Sequence, residues 1–200
     1  MADLVLDLAK GMTLDLSKRD GLTDVAVGVN WGKIKKGGMF GFGSSSEAVD
    51  LDLSALLFDS NGRKVNTVYY GNLSAKGVQH SGDDRVGDDS ADDYDNEVIT
   101  INLGKTAPEV TKIVFVLVSF QGQDFGDLPY AGIQFYDISA GKDKLAKTNI
   151  DIANDSKFKG KVSMVFAAVE KINGAWQYRV IAEPTDRRNL EDLTSICKTI

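Results

Sequence analysis

The chain has 200 residues, 42% of them hydrophobic and 26% charged, with a formal net charge of −6 and a pI near 4.8. That is enough apolar material for one sizeable domain with its own core, and the acidic balance argues against nucleic acid, whose phosphates need a basic surface. A single cysteine, Cys197, excludes an internal disulfide and fits a reducing compartment, Asp3 and Asp7 interrupt the first apolar residues as no signal peptide would, and no apolar run approaches the roughly 20 residues of a membrane span, so the expectation is a soluble, intracellular protein.

In chain order the reading is strand after strand. Leu4-Val5-Leu6 and Thr13 to Leu16 open the chain, within a local near-repeat of Leu6-Asp7-Leu8-Ala9-Lys10 and Leu14-Asp15-Leu16-Ser17-Lys18. Val25 to Trp31 alternates with period two. The clearest strand runs from Val49 to Phe58: Val49, Leu51, Leu53, Ala55 and Leu57 fall on one face, and Asp50, Asp52 and Ser54 on the other. Asn61-Gly62 supplies a hairpin turn, because both residues tolerate positive φ, and Val65 to Tyr70 returns as the partner. Ile113 to Phe120 is a continuous β-branched run suited to a central strand. Ile133 to Ile138, Leu145 to Ile152 and Val162 to Ile172 continue the series, and Asn173-Gly174 turns into Trp176 to Ala182. Pro184 reads as the end of the sheet. Beyond it Leu190, Leu193, Cys197 and Ile200 fall at helical spacing. The pattern predicts an all-β fold: a β-sandwich of two mainly antiparallel sheets over residues 1–183, followed by a short C-terminal helix in a tail of residues 184–200.

Two segments break the rhythm. Between Lys33 and Ser46 lies a glycine-rich stretch carrying Lys33, Lys35 and Lys36 together with Met39, Phe40 and Phe42. It reads either as a loop whose aromatics tuck back onto the sandwich, or as a peripheral contact with an anionic membrane surface or a partner groove. The second segment, Ser81 to Glu97, holds eight carboxylates and a single compensating cation, Arg85. Two carboxylates about 6 Å apart repel by about 0.7 kcal/mol even in water. Such a loop beside the strand Val98 to Leu103 must therefore stay extended in solvent or be neutralised. Oxygen ligands in this number suit a hard cation, and Ca²⁺ accepts six to eight oxygens in flexible geometry. The loop is not an EF-hand. Counted from Asp88, it places Asp93 where that motif needs glycine and Ile99 where it needs glutamate.

The residues His80-Ser81-Gly82-Asp83-Asp84-Arg85-Val86-Gly87-Asp88, followed by Asp92 to Ile99, resemble the signature loop of the TerD family of tellurium-resistance and stress-response proteins. Leu8-Ala9-Lys10-Gly11, Val27-Gly28-Val29-Asn30-Trp31, Val49 to Ser54 and Ser119 to Phe125 resemble further blocks of that family, so the similarity spans roughly residues 1–182. Ser90 and Ala91 stand where glycines are common, and Tyr94 interrupts the last acidic run. This places the chain nearer the family's longer-loop general stress proteins. The resemblance implies a cytoplasmic β-sandwich, peripheral at the inner membrane if Met39, Phe40 and Phe42 touch lipid, that binds calcium in the stress response. It also implies partners: a TerC-like membrane protein or other stress proteins of the same family.

Physically, Asp83 and Asp84 sit at one end of the loop and Asp93, Asp95, Asn96 and Glu97 at the other. Folding back would bring these ends together, with Asp50 and Asp52 supplied by the preceding strand. Eight loop carboxylates exceed what one site takes, so two Ca²⁺ ions are expected. His80, the lone histidine, reads as satisfying a local hydrogen bond, Cys197 as a non-catalytic thiol, and Trp31 and Trp176 as core. Asp124 and Asp127 fit either a turn or part of an ion site. No P-loop, dinucleotide fingerprint or nucleophile elbow is present, and catalytic residues are not expected. The functional expectation is calcium-dependent binding to partners. The alternatives are a metal-dependent hydrolase using the acidic loop and a metal-independent scaffold.

Overall fold

The computed structural model describes residues 6–36, 45–92, 94–139, 143–148 and 152–200. Met39, Phe40, Phe42 and the expected ligand Asp93 lie outside them. Two sheets face each other. The first has, in spatial order, β1 (Leu6–Leu8), β13 (Asp143–Thr148), β12 (Ala131–Asp137), β3 (Asp24–Trp31), β10 (Glu97–Asn102), β9 (Val78–His80) and β8 (Ser74–Ala75). The second has β2 (Thr13–Asp15), β15 (Ala175–Thr185), β14 (Ser163–Ile172), β11 (Val110–Ser119), β6 (Leu51–Asp59) and β7 (Lys64–Val68). A small hairpin pairs β4 (Ile34–Lys36) with β5 (Ser45–Glu47). The pairing of β1 with β13 is parallel and the other pairings of named strands are antiparallel, so the chain is the expected sandwich. Among the described residues no helix is long and apolar enough to cross a membrane.

Alternation explains how β6 serves both faces. Leu51, Leu53, Ala55 and Leu57 point between the sheets, where Phe135 stacks on Tyr178 at 4.1 Å and Phe115 on Phe166 at 5.9 Å. The opposite face carries Asp52, Ser54, Leu56 and Phe58, all buried. Leu56 and Phe58 are covered by α1 (Leu190–Thr199), which lays Leu193 and Cys197 against them and against Val114, Val116 and Val165. The sequence left open where this helix docks; it packs on the outer face of the six-stranded sheet. Asn189 starts the helix by accepting the Asp192 N–H at 2.9 Å, and the Lys112 ammonium caps its other end at the Cys197 and Ile200 carbonyls.

Three sequence expectations are adjusted. Pro184 does not end the sheet but lies inside β15, opposite Met164. The other flank of β15 pairs with β2 only from Gln177 to Arg179, so at Pro184 that flank is an edge and a missing N–H is tolerated. Leu16 leaves its strand for a 3₁₀ turn capped by Asp15. Strands β8 and β9 escaped notice because segments of two and three residues are too short to show a period.

Candidate metal centre

The acidic loop is pinned to the sandwich by main-chain bonds. Ser81 N–H donates to the Val98 carbonyl, Val49 N–H to Val86, Lys33 N–H to Asp88, Asp88 N–H to Trp31, and Asn96 N–H to Val29. Val49 and Asp50, read as the start of a strand, thus belong to the loop's anchorage, with β6 beginning at Leu51. Gly87 makes the close approach possible. It holds φ at +73°, and a Cβ there would lie 2.7 Å from Cδ1 of the buried Trp31 ring. The Trp31 indole in turn donates to the Val49 carbonyl at 2.8 Å.

This anchorage sorts the expected ligands into three groups. Asp50, Asp52 and Asp83 converge: each offers a carboxylate oxygen, and these oxygens all lie within 4.8 Å of one another. Asp50 and Asp52 are only 3% and 7% exposed, whereas Asp83 is solvent-facing. At that spacing a buried pair of ionised carboxylates repels by about 3 kcal/mol at an effective dielectric near 20. Burial, then the charges of Asp50, Glu97 and Asp83, push the Asp52 carboxyl up to about 7. Burial and Asp83 likewise raise Asp50, against the pull of Arg85, whose Nε stands 3.9 Å from Asp50. Oxygen-only donors, crowded and starved of positive charge, are the chemistry of a hard-cation site.

Glu97 lies near enough to raise both Asp50 and Asp52 but is already engaged. Fully buried, it accepts from Leu53 N–H at 2.8 Å and Asp84 N–H at 3.1 Å, and lies 3.4 Å from His80 Nε2. His80 itself spans two main-chain groups: Nδ1 accepts from Gly82 N–H, and Nε2 donates to the Leu53 carbonyl at 3.0 Å. Both ring nitrogens are occupied, which fits the reading of a locally satisfied histidine.

The remaining candidates face donors instead of each other. Asp84 accepts from Val86 and Gly87 N–H, and these bonds with that of Asn96 hold its carboxyl below the usual range although burial works the other way. Asn96 is a brace: its carbonyl accepts from Trp31 N–H at 2.8 Å, while its amide donates to Asp84 and Asp88, each at 3.1 Å. Burial and the neighbouring Asp92 and Asp84 raise Asp88 against that bond. Asp95 turns onto the outer face of the seven-stranded sheet, accepting from Tyr136 and from Gln134. Gly28 makes room for it, since a Cβ there would fall 2.2 Å from the Asp95 carboxylate.

Sequence reading missed the surroundings of the cluster. Tyr70 and Phe120 wall its mouth beside Arg85, and Lys33 pairs with the exposed Asp89 at 2.8 Å. Gly28 and Arg85 were visible signals, one a glycine inside a strand and the other the lone cation of an acidic run.

The fold and sequence both have counterparts. A family model described as the TerD domain matches residues 4–196. The chain is 32% identical over 205 residues to a Bacillus subtilis protein named stress response protein SCP2, covering 96% of this chain and 98% of that relative. It is 30% identical over 196 residues to tellurium resistance protein TerZ of Serratia marcescens, covering 96% of each. The crystal structure of a homologue of telluride resistance protein (TerD) from Streptomyces coelicolor superposes with a TM-score of 0.66 at 19% identity, covering 88% of this chain and 98% of that one. At that identity the structural match speaks for the fold alone.

Proposed function

Because the chain belongs to the TerD-domain family of tellurium-resistance and stress-response proteins, we propose that it is a calcium-binding member acting by calcium-dependent binding to partners rather than by catalysis. The observation that carries this reading is the convergence of Asp50, Asp52 and Asp83 within 4.8 Å, with two of the three carboxylates buried. Three carboxylates offer six oxygens, and calcium's preference for six to eight suits them better than magnesium's retained waters. A bound cation supplies the positive charge that this cluster lacks. Asp50 and Asp52 are held by β6 and its anchorage, whereas Asp83 comes from the loop, so filling the site adds a further tie to the loop's main-chain anchorage and changes the charge it presents.

On this reading it acts in the cytoplasm, with a TerC-like membrane protein or other stress proteins of the same family as its partners. A pull-down with and without chelator tests that part. The calcium reading is tested by melting the protein in chelator and then in excess Ca²⁺. Saturation at 100 times Kd adds about 2.7 kcal/mol, a rise of roughly 5–10 °C for a chain of this size. Identical melts refute it.

A further inference from the structure

On the outer face of the six-stranded sheet the acidic cluster opens into a trough. Asp52, Tyr70 and Phe120 line both the mouth of the cluster and this adjoining depression. Its floor is Ser54 and Val118, and its far end is Arg188 with Asn189 and Leu190 at the start of α1. The walls are aromatic. Tyr70 meets Phe120 edge-on at 6.1 Å and Tyr69 at 5.2 Å, and Tyr70 and Phe120 stay 40% and 57% exposed. Among the described residues, Asp52 and Ser54 make no side-chain hydrogen bond or ion pair although only 7% and 1% exposed. Both residues line the trough, so Ser54 offers its hydroxyl to an occupant and Asp52 is shared between the trough and the acidic cluster.

The opposite end has the opposite charge. The Arg188 guanidinium lies over Gly122, where a Cβ would come within 2.2 Å of Nη1, and it has no carboxylate partner among the described residues. A flat apolar group fits against the exposed surface of the Tyr70–Phe120 pair, and an anionic group fits Arg188. Asp52 opposes such a ligand while it is ionised and bare, and ceases to do so once a cation neutralises it.

We propose that this trough binds a small molecule combining a flat apolar group with an oxyanion, held by Tyr70, Phe120 and Arg188, and that calcium at the neighbouring carboxylates strengthens that binding through the shared Asp52. The calcium coupling rests on the reading under Proposed function; the trough does not. Linkage makes the coupling reciprocal, so the ligand tightens calcium by the same factor.

Phenyl phosphate serves as the probe, with phenol and inorganic phosphate as its separate halves, titrated calorimetrically against the full chain. The expected result is binding at least tenfold tighter in calcium than in chelator, and tighter than either half. Arg188→Gln, an exposed change, loses at least tenfold while the calcium melt is unchanged. Asp52→Asn binds phenyl phosphate in chelator as the wild type does in calcium. Absence of phenyl phosphate binding in wild type with calcium and in Asp52→Asn overturns the inference and leaves the calcium reading intact. Binding by Asp52→Asn together with a wild-type melt indifferent to calcium keeps the trough and removes the coupling. Binding unaffected by Arg188→Gln and Phe120→Ala also overturns the assignment, as an adventitious site elsewhere.

Discussion

The two ends of the acidic loop use the same residue type for different work. At the first end, Asp83 joins Asp50 and Asp52, with the Arg85 Nε 3.9 Å from Asp50, and the Asp52 carboxyl rises to about 7. Towards the second, Asn96 reaches back to brace both Asp84 of the first end and Asp88, and Asp95 is held by Tyr136 and Gln134. A carboxylate that finds N–H and O–H donors stabilises the loop by itself. A carboxylate that finds only others like it needs a cation. Density of negative charge in a sequence therefore marks a loop, while the distribution of donors around it marks the metal centre.

This contrast can be broken from either side. The largest effect is expected at the braced end: Asn96→Ala orphans the Trp31 N–H and leaves Asp84 and Asp88 unbridged, a loss of about 2–4 kcal/mol in urea unfolding, equal in chelator and in calcium. Next, Gly28→Ala drives a methyl into the Asp95 carboxylate and should cost about 1–3 kcal/mol, again without regard to calcium. An unchanged melting temperature would show that Asp95 is free to move.

The unbraced end should respond to pH. Asp52 has a folded pKa raised above its unfolded value, so its contribution to stability is fully present below about pH 4 and is lost as pH rises through about 7. Melts in chelator should therefore fall between about pH 4 and 7 by several degrees, and Asp52→Asn or saturating calcium should flatten that slope. A slope unchanged by Asp52→Asn would place the titrating group elsewhere. The smallest stability effect belongs to Asp83→Asn. Its side chain is solvent-facing, so the chelated protein should melt within about 0.5 kcal/mol of wild type, yet the rise in calcium should shrink.

Much of this organisation is legible in the residues. The strand Val49 to Phe58 shows its two faces directly, and Asp50, Asp52 and Asp83 stand out because apolar alternation fixes where the first two point. The helix spacing of Leu193 and Cys197 is equally plain. The roles of Asp84, Asp95 and Asn96 are not, because they depend on donors distant in sequence: Asp95 meets Tyr136 only because β12 lies beside β3, and Asn96 meets Trp31 only because the loop folds back over β3. Nor does sequence show that Phe120 and Arg188 flank Asp52, since sheet order and helix docking bring them together.

The most direct test of the central claim is a calorimetric calcium titration of wild type beside the Asp50→Asn/Asp52→Asn double variant. The account predicts that the variant folds and loses one calcium equivalent; retention of the wild-type stoichiometry and affinity by the folded variant would contradict it.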